Sequence, residues 1–481
     1  MPDQMPKAFY ITTTLPYVNA DPHIGFAMEI TRADIIARFK RLQGYEVFLN
    51  TGTDEHGQKV YEAAKNKGVE VQAYIDEYAD KFKKLLPVLG VSKNHFIRTT
   101  DSHHEKAAQE FWRRVEKNGY IYKKNYKTKY CVGCELGKTE SELVDDKCPI
   151  HPTLKLEIIE EENYFFKFSE FGEKLLNFYK KNPQIVVPDF RLNEMKEFIK
   201  RGLQDFSISR LKSKMAWGIA VPNNPDHVMY VWFDALVNYI STLGWPEDEK
   251  TFDKFWKNGT PVQYCGKDNT RFQSVVWQAM LMAADLPNSQ TIVVNGFVNV
   301  GGQKMSKSLG NVVNPFDLVG EYGTDAVRYY LARELNPFED SDYTPEKLKE
   351  AFNANLANGI GNLTSRIMKM AETNVPGFKI KEDKVVFSKD FTEAMESYNL
   401  KNAMDIIWGR ISKLDEIIQK DAPFKLVKTN PEKGKKIIVD LVLELYVIAK
   451  YLEPFLPETA LKIEEAIKTN KTPPPLFLRK D

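Results

Sequence analysis

Two lysines with two residues between them, Lys304 and Lys307, lie in a short polar segment of the sequence. Ser306 and Ser308 flank the second lysine, and two glycines precede the segment at residues 301–302. This composition predicts a mobile cationic loop rather than a core element. Two amines and several hydroxyl or backbone donors suit a polyphosphate, because they neutralise charge that moves onto a departing pyrophosphate. Alone, such a segment is more often a solvated turn, so its interpretation depends on a second motif.

The second motif lies far upstream, where His23, Ile24 and Gly25 begin a helical pattern. The apolar run at residues 8–15 predicts a strand before it, and the helical pattern ends near Gly44. A histidine and a glycine at a helix start, just after a strand, favour a nucleotide-phosphate site. The free amides and the helix dipole face the anion, Gly25 permits close approach, and His23 donates a hydrogen bond.

Together the two motifs resemble the signatures of class I aminoacyl-tRNA synthetases, His-Ile-Gly-His and Lys-Met-Ser-Lys-Ser. The second signature is complete, whereas Phe26 stands where the first has its last histidine. The resemblance implies an ATP site in which His23, Lys304 and Lys307 are catalytic and Mg²⁺ bridges phosphate oxygens. The implied ATP-binding residues are His23, Gly25, Phe26, Lys304, Ser306, Lys307 and Ser308.

Length and composition limit the classes of protein to consider. A chain of 481 residues is too long for one core, so we expect two to four domains. The formal net charge of +1 creates no global field for nucleic acid, so any RNA contact must depend on local clusters. We find no signal-peptide pattern and no uninterrupted apolar span, since the most apolar late stretch contains Asp440 and Glu444. These features predict a cytoplasmic protein without a membrane partner.

Three of the four cysteines lie in one cluster with metal-binding spacing. Cys131 and Cys134 form one pair, and Cys148 and His151 form the other, each pair separated by two residues. Three thiolates and one imidazole match tetrahedral zinc. Because protein fills all four positions, the sequence predicts one structural zinc per chain without an open catalytic position. So few cysteines also suit a reducing cytoplasm.

Two segments are candidates for a small-molecule pocket. Polar residues at 51–57 follow an apolar strand pattern, at the end of a strand where open parallel sheets bind ligands. A turn with satisfied side chains explains these residues equally well. The run at residues 228–239 predicts a strand with which the sheet resumes, and it contains Trp232 and Tyr239. Such aromatics are usually core, but sulfur packs well against aromatic rings, so a thioether pocket is the alternative.

Both segments resemble methionyl-tRNA synthetases, in which the residue matching Asp54 holds the substrate ammonium. Where this family has histidines, the chain has Gln273 and Asn295, which keep hydrogen-bonding ability. The resemblance implies a methionine site formed by Leu15, Tyr17, Asp54, Trp232, Ala235, Tyr239, Asp268, Phe272 and Gln273.

Residues 120–130 alternate tyrosines with lysines. This pattern fits a hairpin that faces nucleic acid, but a solvated strand with snorkelling lysines is the favoured interpretation. From about residue 345 the pattern is helical and resembles the anticodon-binding bundle of methionyl enzymes. That resemblance implies anticodon contacts by Asn362, Arg366 and Phe424, the last in place of the family's tryptophan. The proline-rich, basic end at residues 472–481 predicts a strap or a loose end.

The sequence therefore predicts an α/β protein: a Rossmann-like parallel-sheet catalytic domain with a zinc-knuckle insertion, followed by an all-α anticodon-binding bundle. We expect the first catalytic half at residues 1–114, the insertion at 115–220, the second catalytic half at 221–344, and the bundle at 345–481.

The resemblance implies a methionine–tRNA ligase that uses ATP, L-methionine and tRNA(Met). We expect a monomer, because no dimerising domain follows the bundle. One alternative is a class I ligase for leucine, isoleucine, valine or cysteine, although the chain is short for the editing insertions of the first three. The other is an inactive synthetase-like tRNA-binding protein, against which the complete lysine loop argues.

Overall fold

The structure is a computed structural model that describes residues 7–134, 136–138, 142–305, 310–381 and 385–481. The strands are β1 Ala8–Thr13, β2 Glu46–Thr53, β3 His95–Arg98, β4 Ile121–Cys131, β5 Leu136–Lys138, β6 Glu157–Phe166, β7 Val186–Val187, β8 Phe206–Ser207, β9 Ser209–Leu211, β10 Ala220–Val221, β11 Asn224–Met229, β12 Thr260–Gly266, β13 Thr291–Asn295, β14 Val298–Val300, β15 Gln303–Lys304 and β16 Ser341–Tyr343. The helices are α1 Ile24–Leu42, α2 Gln58–Lys67, α3 Val71–Val88, α4 Ser102–Lys117, α5 Gly172–Lys181, α6 Asp189–Lys200, α7 Val231–Ala235, α8 Asn238–Ser241, α9 Glu249–Phe252, α10 Trp277–Ala283, α11 Pro315–Tyr322, α12 Thr324–Tyr329, α13 Pro345–Ala351, α14 Asn362–Asn374, α15 Lys389–Glu396, α16 Leu400–Asp421, α17 Pro423–Thr429, α18 Pro431–Leu452 and α19 Pro457–Thr469.

The chain divides into two compact units, each made of discontinuous segments. The first unit comprises the residues up to Pro22, Gly44–Leu86 and Lys93–Val294. The second comprises His23–Gln43, Pro87–Ser92 and Asn295–Asp481. The division into four consecutive segments stays a prediction.

A sheet with the strand order β3-β2-β1-β12-β13-β7 organises the described residues of the first unit. β1 runs parallel to both β2 and β12, and β2 runs parallel to β3. The carboxyl ends of these strands therefore share one edge, where open α/β sheets bind ligands. This parallel sheet with its helices confirms the predicted fold class.

One strand prediction was wrong. The run at residues 228–239 does not return to the central sheet: β11 pairs with β9 and β10 instead, and α7 begins at Val231. The central sheet resumes only at β12. A continuous apolar run is compatible with a buried strand and with a buried helix, and its periodicity does not distinguish them. Trp232 consequently lies on a short helix.

The tyrosine- and lysine-rich segment is β4, which pairs antiparallel with β6 over ten residue pairs. Lys123 lies 3.2 Å from Glu162, and Lys127 lies 2.9 Å from Glu160, both across the strand pair. Because glutamates of the neighbouring strand pair with these lysines, the contacts favour the solvated-strand interpretation over a surface for nucleic acid.

In the second unit, α1 is anchored to the helical bundle by a buried arginine. The guanidinium of Arg328 lies 2.9 Å from the Asp34 carboxylate on α1. It also donates to the carbonyls of Pro454 and Phe455, between α18 and α19, at 2.9 and 2.8 Å. Charge-assisted bonds that satisfy a buried guanidinium fix the orientation of α1, at whose start the first signature lies.

The helices from α13 to α19 confirm the predicted all-α region. None of the described helices has the length and apolarity needed to cross a membrane. The asparagine- and glycine-rich run forms π-helical turns over Phe352–Gly361 with a kink at Gly359. The chain's end lies against this run, because Lys480 exchanges backbone hydrogen bonds with the Asn353 side chain at 2.8 and 2.9 Å. The end is therefore a strap.

Candidate active site

The ends of β1 and β2 bring two predicted pocket residues together in the first unit. Tyr17 and Asp54 form a parallel bridge. The Asp54 amide donates to the Pro16 carbonyl at 2.9 Å, and the Val18 amide donates to the Asp54 carbonyl at 3.3 Å. These bonds fix the backbone of Asp54, a residue that is only 3% exposed. A buried carboxylate at the carboxyl edge of the sheet is placed to hold a cation.

Aromatic rings from three separate segments form one wall beside this edge. Trp232 on α7 stacks on Phe272 with ring centroids 3.8 Å apart and planes 7° apart. The Tyr17 ring meets Trp232 edge-on at 6.3 Å. Such a wall offers a polarizable apolar surface to a thioether chain. The three residues are far apart in the sequence, so the cluster becomes visible only in the folded structure.

The remaining predicted methionine-site residues differ in burial. Leu15, Ala235, Tyr239 and Gln273 are buried, whereas Asp268 is exposed just after β12. The Gln273 side-chain amide donates to the Tyr239 hydroxyl. The structure thus joins two residues that the sequence separates widely, and it places Gln273 in the position of a buried hydrogen-bond donor.

A buried charge cluster, which the sequence did not reveal, supports the Asp54 segment. His56 Nδ1 lies 3.3 Å from the Asp234 carboxylate, and His104 Nε2 lies 3.9 Å from its other oxygen. Burial alone opposes charge on both groups, but their attraction outweighs it: the pKa of His56 is raised and that of Asp234 is lowered. A sequence signal for this cluster was Asp234, whose carboxylate interrupts an apolar run. The cluster holds residue 56, two positions from Asp54, in place.

In the second unit, His23 caps α1. Its Nδ1 accepts the Gly25 backbone N–H at 3.0 Å, so the ring proton of the neutral form is on Nε2, which can donate to an anion. Desolvation by the surrounding protein lowers the pKa of His23, although the residue as a whole is exposed. The first turn of α1 contains no acidic residue that would repel a phosphate.

The two signatures meet within this same unit. A Cβ atom built on Gly25 would lie 3.7 Å from the Met305 methyl carbon, and only 2.8 Å from the His23 ring. Met305 follows a hairpin of β14 and β15, whose turn at Gly301 and Gly302 has φ values of +60° and +74°. Two positive φ angles fit a type I′ hairpin turn. A larger residue at position 25 would push against the His23 ring, so glycine allows the imidazole to stay where it is.

The other predicted nucleotide-site residues are either outside the described part of the chain or buried. Ser306, Lys307 and Ser308 lie outside the described residues, as does the side chain of Lys304. Phe26 is 8% exposed, so little of its ring can face a nucleotide. Asn295 donates to the Gly296 carbonyl at 2.9 Å, whereas its buried side-chain oxygen accepts no hydrogen bond from the described part of the chain.

The predicted metal ligands converge. The ligand atoms of Cys131, Cys134, Cys148 and His151 all lie within 4.8 Å of one another. Cys134 Sγ is 3.5 Å from Cys148 Sγ and 3.3 Å from His151 Nδ1. Tetrahedral zinc with Zn–S bonds of about 2.3 Å places its ligand atoms about 3.5–3.8 Å apart, so the donor set and spacing fit a metal ion. A Cβ on Gly133 would lie 2.5 Å from the His151 ring, so glycine is required there.

The three predicted anticodon residues lie on the bundle in the second unit. Asn362 begins α14 and is exposed. Arg366, one turn later, pairs with Asp415 at 2.6 Å. Phe424 on α17 is 47% exposed, and the Lys425 amine lies 5.8 Å from its ring centroid.

Sequence comparisons with known proteins agree on one family of enzymes. The family model of class I tRNA synthetases (M) matches residues 9–154 and 137–368. A methionine–tRNA ligase of Thermotoga maritima is 40% identical over 482 residues, covering 97% of this chain and 76% of that protein. The methionine–tRNA ligase of Rickettsia felis is also 40% identical, over 97% of this chain and 93% of its own.

Solved structures give the same picture for the fold. Mycobacterium tuberculosis methionyl-tRNA synthetase in complex with methionyl-adenylate is 35% identical with a TM-score of 0.89, covering 99% of this chain and 100% of that one. The free-state structure of that synthetase is 32% identical with a TM-score of 0.84, and both chains are fully covered.

Proposed function

The chain belongs to the methionine–tRNA ligase family, and from this premise we propose which of its residues perform the reaction. The protein activates methionine with ATP to give methionyl adenylate and pyrophosphate, and it then transfers methionine to tRNA. No observation favours a second function over this one.

The methionine side chain binds against the aromatic wall of Tyr17, Trp232 and Phe272, and its ammonium binds the Asp54 carboxylate. The observation that supports this proposal most directly is the wall itself: three rings from distant segments meet beside a buried carboxylate at the carboxyl edge of a parallel sheet. A charge at one end and a polarizable apolar surface at the other match an amino acid with an unbranched thioether chain.

ATP binds at the start of α1. His23 Nε2–H donates to a phosphate oxygen, the positive end of the α1 dipole favours the anion, and Gly25 allows its close approach. The Asn295 side-chain oxygen is available to a ribose hydroxyl. Lys304 and Lys307, with Ser306 and Ser308, follow the charge that develops on pyrophosphate. Mg²⁺ bound to ATP would neutralise charge on its phosphate oxygens.

The reaction needs no protein nucleophile. A methionine carboxylate oxygen attacks the α-phosphorus in line, the bond to the bridging oxygen breaks, and pyrophosphate leaves with the electron pair. A ribose hydroxyl of the terminal adenosine of tRNA then attacks the adenylate carbonyl, losing its proton as AMP leaves. Catalysis is therefore positioning together with stabilisation of the charge that develops on the leaving group.

Cys131, Cys134, Cys148 and His151 would hold a zinc ion in a structural role. Four protein ligands leave no coordination position for a substrate. The experiment that tests zinc is native mass spectrometry of the purified protein, in which one zinc per chain is expected.

The partner is tRNA(Met), whose anticodon contacts Asn362, Arg366 and Phe424. Support comes from the exposure of Asn362 and Phe424 on the bundle, because an exposed phenylalanine ring can stack on a base. A monomeric state and a cytoplasmic location stay predictions.

A direct test incubates the protein with ATP and methionine, quenches the mixture, and detects methionyl adenylate by mass spectrometry. Addition of tRNA(Met) should consume the adenylate and yield methionyl-tRNA. Binding of tRNA without any adenylate would contradict the proposal and favour an inactive tRNA-binding protein.

A further inference from the structure

The backbone of Asp54 and Glu55 is hydrogen-bonded at all four of its polar groups. Both groups of Asp54 bond to the loop after β1, and the Glu55 amide donates to the Thr99 hydroxyl oxygen at 2.9 Å. The fourth group is the Glu55 carbonyl, which accepts the indole Nε1–H of Trp217 at 2.7 Å. The first three partners lie just after β1 or β3 of the central sheet, whereas Trp217 belongs to a different sheet region of the first unit.

Trp217 lies in the loop between β9 and β10, and the small sheet of β9, β10 and β11 fixes the end of that loop. The Ile219 carbonyl, two residues after Trp217, accepts a backbone N–H of β11 at 2.7 Å. β11 is followed almost at once by α7, which contains Asp234, the partner of His56. The same small sheet therefore holds Glu55 and His56, two consecutive residues, through one side chain each.

The bond from Trp217 matters because Glu55 is fully buried. Water does not reach the Glu55 carbonyl while the segment keeps this position, so loss of the indole N–H leaves a buried acceptor unsatisfied, which is costly. The segment can relieve that cost only by shifting, and Asp54 is the adjacent residue. A charge-assisted hydrogen bond weakens when its direction or length changes, so such a shift weakens the hold of the Asp54 carboxylate on an ammonium group.

We propose that Trp217 is a positioning residue for the ammonium group of methionine: its indole N–H fixes the Glu55 carbonyl, and the fixed segment directs the Asp54 carboxylate at the substrate. Trp217 acts through its neighbours and is not itself a catalytic residue. The small sheet of β9, β10 and β11 thereby contributes to substrate binding at the edge of the central sheet. This role rests on the proposed methionine site.

The test measures methionine-dependent ATP–pyrophosphate exchange in Trp217→Phe, which keeps an aromatic ring but removes the N–H. The KM for methionine should rise by roughly 2- to 10-fold, the range of one ordinary hydrogen bond. The KM for ATP should stay near its unaltered value. The matched control is Trp256→Phe, because the indole N–H of Trp256 also donates to a backbone carbonyl, that of Pro287, at 2.8 Å. The control should keep its KM for methionine.

A double variant adds a readout that a merely structural role would not produce. Asp54→Asn removes the charge that Trp217 is proposed to direct, so in that background Trp217→Phe should raise the KM for methionine no further. A general loosening of the fold would instead multiply the effect of Asp54→Asn by its own full factor. Thermal melting checks the folding of each variant, and Trp217→Met, which also lacks the N–H, provides the test if Trp217→Phe does not fold.

The possible failures are distinguishable. Absence of methionine-dependent exchange in the unaltered protein would overturn the proposed function and this inference with it. An unchanged KM for methionine in Asp54→Asn would remove the ammonium site together with the role of Trp217. Three results would overturn the role of Trp217 alone: an unchanged KM for methionine in both Trp217 variants, a KM for ATP that rises equally, or effects that combine in full with Asp54→Asn.

Discussion

Substitution of Asp54 by asparagine removes a charge while keeping the shape of the side chain. Hydrogen bonds to charged groups contribute about 1.5–3 kcal/mol net, which corresponds to a roughly 10- to 150-fold change in affinity. Asp54 is 3% exposed and its backbone is fixed on both sides, so neither water nor a backbone shift replaces the lost carboxylate. We therefore expect the KM for methionine to rise within that range, towards its upper end.

The assay is methionine-dependent ATP–pyrophosphate exchange with each substrate varied in turn. Asp54→Asn should raise the KM for methionine and leave the KM for ATP nearly unchanged. Asp21→Asn is the matched control, because Asp21 is 65% exposed and pairs only at the surface with Lys81, at 2.8 Å. An unchanged KM for methionine in Asp54→Asn, with the control normal, would refute the assignment of the ammonium to this carboxylate.

Three further predictions concern the loop, the metal and the buried charges. Lys307→Ala should slow adenylate formation by roughly 10²–10³-fold, the effect of one lost preorganised donor. A normal rate in single-turnover quench measurements would contradict this. Cys134→Ser should lose zinc and melt at a lower temperature, whereas Cys265→Ser, which lies outside the cluster, should keep its zinc. Native mass spectrometry measures the zinc content, and equal zinc in the two variants would count against the site. The pKa of His56 is higher in the folded protein than in the unfolded chain, where it is about 6.5. Its pairing with Asp234 therefore stabilises the fold fully at pH values below the unfolded-state pKa, and this stabilisation is lost as the pH rises through the folded-state pKa. NMR titration should show the His56 pKa falling in Asp234→Asn, because burial without its partner disfavours the charged ring, and a value that does not move would disprove the pairing.

The parts of the fold with local signals were predictable. The strand before His23 and the helix after it follow from a run of β-forming residues and a 3.6-residue pattern, and both are present as β1 and α1. The metal cluster was predictable because cysteines are rare in this chain and stand at zinc spacing, so chance gives a poor explanation.

The features that could not be predicted from the sequence depend on contacts between residues that are distant in the chain. Trp232 was expected on a central strand but lies on a helix, since an apolar run fits both elements. The hydrogen bond between Gln273 and Tyr239 and the pair of His56 with Asp234 join side chains that no local pattern connects.

The most direct test of the assignment is ATP–pyrophosphate exchange measured with the unaltered protein and each standard amino acid in turn. Methionine should support exchange far better than leucine, isoleucine, valine or cysteine. Exchange that depends on one of those four amino acids, or on none, would contradict the account.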